Sequence, residues 1–148
     1  LLNTSNKSEL ALGYSTLYGD LCGALGVLSD VIKLRVFELC HFVNRKEEII
    51  PEAILKRAPT AELRANQTDQ DTLPPFEVLD PILEDYLEKR LSLEEIASTR
   101  NVPIAFVQDI VHRIHLAEYK RRQAPLGIRV TPKAFSKGRS VPIVQKWR

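Results

Sequence analysis

Apolar and polar positions alternate in blocks along this chain. Two leucines lead into the polar run NTSNKSE, and apolar residues resume at Leu10 and Leu12. Residues 1–4 are predicted to be the end of a strand, and Ser8 the N-cap of a helix carrying Leu10, Leu12 and Gly13 and ending by Gly19. Leu21 to Ser29 holds Gly23 and Gly26 and reads as loop. Asp30 stands where it can cap the next helix, VIKLRVFELCHFVN, with Ile32, Val36, Leu39 and Val43 along one stripe. Lys33 then falls in the first turn, where the helix dipole disfavours a cation unless an anion sits beside it.

Further along, PEAILKR is a short helix with Pro51 at its first position. APTAELRANQTDQDTLPP has the composition of a long polar loop, closed by Pro74 and Pro75. Asp80 followed by Pro81 begins a helix through Arg90, with Ile82, Leu83, Tyr86 and Leu87 inward. Ser92 and Glu95 have the spacing of a capping box. Pro103 to about Arg122 is the longest helix, striped by Val107, Ile110, Val111 and Ile114. Residues 124–148 are rich in Pro and Gly and read as irregular. The chain is thus predicted to be mainly helical with one strand remnant, without internal repeats or low-complexity segments.

Composition narrows the class. A chain of 148 residues with 44% hydrophobic and 27% charged positions can form one ordinary globular domain. No apolar run approaches the ~20 residues that span a bilayer, and no leader pattern is visible, so neither a membrane nor export is expected. The absence of methionine fits a portion of a longer protein. Cys22 and Cys40 lack C-x-x-C spacing and are expected to be reduced thiols. His112 and His115 can share a helix face, but no third ligand stands near them for zinc. The net charge of +2 hides an asymmetry: ten acids lie from Glu62 to Glu95, none follows Glu118, and the end of the chain is basic. Such an end meets phosphates or folds onto an acidic surface.

Three motifs carry candidate chemistry. SLEEIASTRNVPIAFVQDIVHRI has the outline of a helix-turn-helix nucleic-acid reader, with the basic C-terminal tail on the phosphates. Its second helix, however, opens with Pro103, Ile104, Ala105, Phe106, Val107, Gln108 and Asp109, a poor set for base edges. An ordinary hairpin packed on a core is the better reading. EYKRRQ is either a solvated helix end or a clamp for phosphate or carboxylate. NTSNKSE lies where a strand gives way to a helix, the place at which open α/β sheets bind anions. A carboxylate there, Glu9, can hold Mg²⁺ that bridges phosphates, or simply suit the helix dipole.

Taken together, NTSNKSELALGYSTLYGD, DVIKLRVFELCHFVN, APTAELRANQTDQDTLPPFEVLD and AEYKRRQAPLGIRVTPKAFSKGRSVPI closely resemble the synthetase domain of NAD synthetase. The tail after Lys120 is similar to the long, glutamine-dependent form. The resemblance implies the C-terminal half of a Rossmann-like α/β domain of the ATP-pyrophosphatase (adenine nucleotide alpha hydrolase-like) type. It would cover residues 1–148 with a basic irregular tail over 123–148, and the S-G-G-x-D-S pyrophosphate loop would lie before Leu1.

The implied enzyme is a carbon–nitrogen ligase. It uses ATP and Mg²⁺ to adenylate deamido-NAD and then forms NAD with ammonia drawn from glutamine, the last step of NAD biosynthesis. It would be cytoplasmic and homo-oligomeric, served by an N-terminal glutaminase domain of the same chain, and inactive as this portion alone. By the same resemblance Thr4, Lys33 and Thr60 would bind ATP. Glu9, Tyr14, Ser15, Thr16, Leu17, Tyr119 and Lys120 would bind deamido-NAD, with Glu9 also holding the metal. Residues 60–73 would form a mobile lid. Leu17 and Tyr119 stand where the short, ammonia-dependent form has Lys and His.

Overall fold

A computed structural model describes residues 1–57, 73–135 and 138–145. The elements, in order, are strand β1 (Leu2–Asn3), helix α1 (Lys7–Leu12), β2 (Leu25–Gly26), α2 (Lys33–Val43), α3 (Glu52–Lys56), α4 (Phe76–Glu84), α5 (Leu93–Arg100), α6 (Ile104–Leu116), α7 (Glu118–Arg121) and β3 (Leu126–Gly127). Helix α4 runs on into a π-helical turn, Asp85–Lys89.

The fold is mixed, mainly helical around a small sheet. Three strands pair in parallel in the order β1-β2-β3. Leu2 pairs with Leu25 and Leu25 with Leu126; Asn3 pairs with Gly26 and Gly26 with Gly127. Side chains alternate across a strand, so one row of the sheet is leucine and the next is small or polar. A Cβ on Gly127 would lie 1.8 Å from Ser29 Oγ, so the small row is small of necessity. The predicted strand remnant is therefore the first of three strands, and the predicted loop at 21–29 contains the second.

The core forms beside the sheet. Leu79, Ile82, Leu83 and Leu87 of α4 and its π-turn meet Ile96 and Ala97 of α5 and Val107, Ile110, Val111 and Ile114 of α6, with Ala11 of α1 added. The stripes predicted for the later helices are thus the core. Burying each of the leucine, isoleucine and valine side chains removes it from water at a gain of about 1.5–3 kcal/mol.

Several boundaries differ from the sequence reading. Helix α1 is capped by Asn6, not Ser8, and stops at Leu12, because Gly13 turns left-handed at φ +66°. Asp30 does not cap α2; its N-cap is Ile32. The stripe expected on α2 is not a core stripe: Ile32 is buried, but Leu39 and Val43 are exposed. Pro51 precedes α3 as its N-cap. Helix α4 starts at Phe76 and carries Pro81 within it. The long helix expected to reach Arg122 breaks at Ala117, where Gly13 abuts it. Among the described residues no helix is long and apolar enough to cross a membrane.

Candidate functional site

The site is built where β1 gives way to α1. Asn6 opens the helix with a capping box: its side chain accepts the Glu9 N–H at 3.0 Å, and Glu9 Oε2 accepts the Asn6 N–H at 3.1 Å. N-K-S-E is a signal for this box that the choice of Ser8 overlooked. The box sets Glu9 in the first turn, where the helix dipole favours a carboxylate. Its other oxygen, Oε1, accepts Lys33 Nζ at 3.1 Å. The ammonium also lies 5.6 Å from the ring centre of Phe76 and 5.9 Å from that of Phe37, within cation–π range. The conflict foreseen for Lys33 in the first turn of α2 is resolved by Glu9, from a residue 24 positions earlier.

Thr4 is exposed directly beyond β1, between Asn3 and Ser5, which are buried. Asn3 Nδ2 donates to the carbonyls of Asp20 and Cys22, and Ser5 Oγ donates to that of Asp20 at 3.1 Å. These two residues bind the turn over 14–22 to the strand end. The turn is closed by Thr16, whose N–H donates to Asp20 Oδ2 at 3.0 Å. Tyr14 packs against the core, Leu17 is half-buried and Thr16 is exposed. Among the described residues Ser15 Oγ, shut from solvent, has no hydrogen-bond partner, which is costly unless a ligand supplies one.

Lys120 reaches this turn from α7. Its Nζ donates to the carbonyls of Gly13 at 2.6 Å and Ser15 at 2.7 Å. An ammonium has three N–H donors, so one remains for a ligand. Tyr119 beside it is largely exposed. The predicted residues therefore gather at the two ends of α1, with Glu9 and Lys33 at the start and Tyr14–Leu17, Lys120 and its neighbour Tyr119 at or beyond the end. A six-residue helix is about 9 Å long. Thr60 and most of the expected lid lie outside the described residues.

Two buried networks were not foreseen. Asp80, wholly buried on α4, accepts Ser8 Oγ at 2.6 Å and the Leu34 N–H at 2.8 Å. Burial pushes its carboxyl above the ordinary range, against those hydrogen bonds. Lys7, also buried, meets Asp30 at 2.9 Å, Glu88 at 2.8 Å and Thr131 Oγ1 at 2.7 Å. Burial alone would raise Asp30, but Lys7, the amides of Thr131 and Val130 and the Thr131 hydroxyl together hold it below the usual range.

The metal assigned to Glu9 can be tested against these bonds. Each Glu9 oxygen holds one donor and keeps a lone pair, so the carboxylate fits as a single ligand. Among the described residues there is no cluster of three His, Cys, Asp or Glu side chains to complete a protein cage. Mg²⁺ commonly takes one or two carboxylates, the rest being phosphate oxygens and water. Elsewhere, the helices a DNA reader would use, α5 and α6, spend their apolar faces on the core. His115 Nε2 is 2.9 Å from the Tyr86 hydroxyl and 3.3 Å from Arg139.

A profile of the family described as NAD synthase matches residues 1–124. The glutamine-dependent NAD(+) synthetase of Aquifex aeolicus (strain VF5) is 46% identical over 147 residues, covering 99% of this chain and 26% of that protein. The enzyme of the same description from Synechocystis sp. (strain ATCC 27184 / PCC 6803 / Kazusa) is 47% identical over 149 residues, covering 98% of this chain and 26% of its own. The crystal structure of a glutamine-dependent NAD(+) synthetase from Cytophaga hutchinsonii superposes with a TM-score of 0.69 at 21% identity, over 98% of this chain and 24% of that one. At that identity the likeness speaks for the fold alone. The chain spans about a quarter of the length of these curated relatives.

Proposed function

The chain belongs to the NAD synthase family, and on that premise we propose that it forms the C-terminal part of the synthetase domain of a glutamine-dependent NAD synthetase. The finer fold is a Rossmann-like ATP-pyrophosphatase domain. Parallel sheets with βαβ crossovers are covered on both faces and bind ligands beyond the carboxyl ends of their strands. The observation that carries the functional reading is the Glu9–Lys33 pair: two charges from separate segments meet beyond the end of β1, where nucleotide phosphates would lie.

The reaction has two steps. The nicotinate carboxylate of deamido-NAD attacks the α-phosphorus of ATP, forming an acyl–phosphate bond while pyrophosphate leaves with the breaking pair. Ammonia, released from glutamine by a glutaminase domain, then attacks the acyl carbon. AMP departs, a proton is lost and the amide of NAD remains. Such chemistry needs alignment and charge neutralisation more than a side-chain nucleophile. Lys33 places a cation at the phosphates, and Thr4 borders the adenosine of ATP. Tyr14, Ser15, Thr16, Leu17, Tyr119 and Lys120 receive deamido-NAD, the free Ser15 hydroxyl and the third N–H of Lys120 being its polar partners. Bound at Glu9, Mg²⁺ would neutralise phosphate charge. The enzyme works in the cytoplasm as a homo-oligomer.

The test is Glu9→Gln in the intact synthetase, assayed for pyrophosphate release with ammonia supplied. The adenylation rate is expected to fall by roughly 100-fold, the scale of losing one preorganised electrostatic group, while glutamine hydrolysis continues. An unchanged rate of pyrophosphate release would remove Glu9 from the site.

A further inference from the structure

Helix α2 begins without a polar cap of its own. Its N-cap is Ile32, whose side chain makes no cap hydrogen bond. The first N–H groups of a helix need acceptors, and here two come from other helices. Lys33 N–H donates to Ser8 Oγ of α1 at 3.0 Å, and Leu34 N–H to Asp80 Oδ2 of α4 at 2.8 Å. Ser8 Oγ donates in turn to Asp80 Oδ1 at 2.6 Å. One buried carboxylate thus ties α1, α2 and α4 together at the first turn of α2. The neighbours of this knot are Glu9, next in sequence after Ser8, and Lys33 itself.

A Ser or Asp at position 32 would cap α2 locally but leave the helix free to shift against α1. The cap borrowed from α1 and α4 does both tasks. We propose that Asp80 and Ser8 are positioning residues for the nucleotide: they lock the first turn of α2 onto α1 so that the Lys33 ammonium stays opposite Glu9, at phosphate. This rests on the reading of Lys33 as a phosphate ligand. Neither residue touches substrate; both act through Lys33.

The experiment is steady-state kinetics of the intact synthetase with ATP, deamido-NAD and ammonia. Lys33→Ala is expected to raise KM for ATP about tenfold or more, the loss of a charge-assisted contact. Ser8→Ala and Asp80→Ala are each expected to raise KM for ATP roughly three- to tenfold, leaving KM for deamido-NAD within about twofold. Asp80→Asn keeps an oxygen for the Leu34 N–H and is expected to recover most of the loss. In the Lys33→Ala background, Ser8→Ala and Asp80→Ala are expected to change KM for ATP by less than about twofold, because residues acting through one group are non-additive.

General destabilisation would multiply through that background instead. Full additivity overturns the proposal, as does a wild-type KM for ATP in Ser8→Ala. An unchanged KM in Lys33→Ala overturns both the phosphate reading and the brace built on it. A normal Ser8→Ala beside a damaged Lys33→Ala overturns the brace alone. Should Asp80→Ala not fold, Ser8→Ala, alone and in the Lys33→Ala background, carries the same test.

Discussion

Two buried aspartates respond to pH with opposite signs. Asp30 is held below the ordinary carboxylate value of 3.8 because Lys7 and the Thr131 and Val130 donors outweigh its burial. Its stabilising contribution is complete above that value and is lost as pH falls through and below it. Asp80 is raised above 3.8, burial outweighing Ser8 and the Leu34 amide. The folded state binds its proton more tightly than the unfolded chain, so stability falls as pH rises from 3.8 through the raised value. In urea unfolding measured across pH, Asp30→Asn is expected to flatten the acid limb, and Asp80→Asn the opposite slope above it. Removing Lys7, 1% exposed, takes from Asp30 and Glu88 the cation they share. Lys7→Met is expected to cost about 3–5 kcal/mol of unfolding free energy. This network was not legible in the sequence. Asp30 looks like a helix cap because cap signals are local, while one of its real partners, Thr131, comes 101 residues later. The pairing of Lys33 with Glu9 is hinted at by the dipole conflict at Lys33, while their roles at a nucleotide rest on the family resemblance.

At the level of elements, the junction of α1 with α6 and α7 turns on Gly13. A left-handed residue closes α1 there, and a Cβ at that position would come within 2.8 Å of Ala117 Cβ and 3.3 Å of Lys120 Cδ. Gly13→Ala therefore meets two penalties, left-handed strain of about 1–2 kcal/mol and overpacking of about 1–3 kcal/mol. Unfolding free energy is expected to drop by that order, and KM for deamido-NAD to rise, since the Gly13 carbonyl anchors Lys120. Adding Ala117→Gly should relieve the clash and leave the strain; full recovery would show that strain was absent. The later helices were readable because Val107, Ile110, Val111 and Ile114 keep a strict 3.6-residue period against one core. Of the strands only the first was: two residues each give no alternation to detect, and β2 (Leu25–Gly26) falls in a glycine-bearing stretch that reads as loop. The end of the long helix was missed because no Gly or Pro marks it locally; at Ala117 the helix packs against Gly13 from the start of the chain.

At the scale of the whole molecule, the described residues cover the sheet on one side only. Leu2, Leu25 and Leu126 stand in one cross-strand row, 62%, 37% and 67% exposed. Leu39, Phe42 and Val43 of α2 are also largely exposed. Parallel sheets bury both faces, and leucine gains about 1.5–3 kcal/mol on burial, so this row has a strong tendency to be covered. The 148-residue polypeptide is expected to bind an apolar fluorescent dye and to self-associate with rising concentration in sedimentation velocity. The triple variant Leu2→Lys, Leu25→Lys, Leu126→Lys should weaken both while keeping the helical circular dichroism, because the lysines would project into water. In the intact synthetase the same variant is expected to be severely destabilised, for there the row would lie under the rest of the domain and three buried charges would go unpaired. Dye-free monomers of the unsubstituted polypeptide, or a normal melting temperature for the triple variant of the intact enzyme, would mean that this face is a true surface. The Rossmann-like completion of the sheet would then be wrong, while the pairing of Glu9 with Lys33 beyond β1 would still stand.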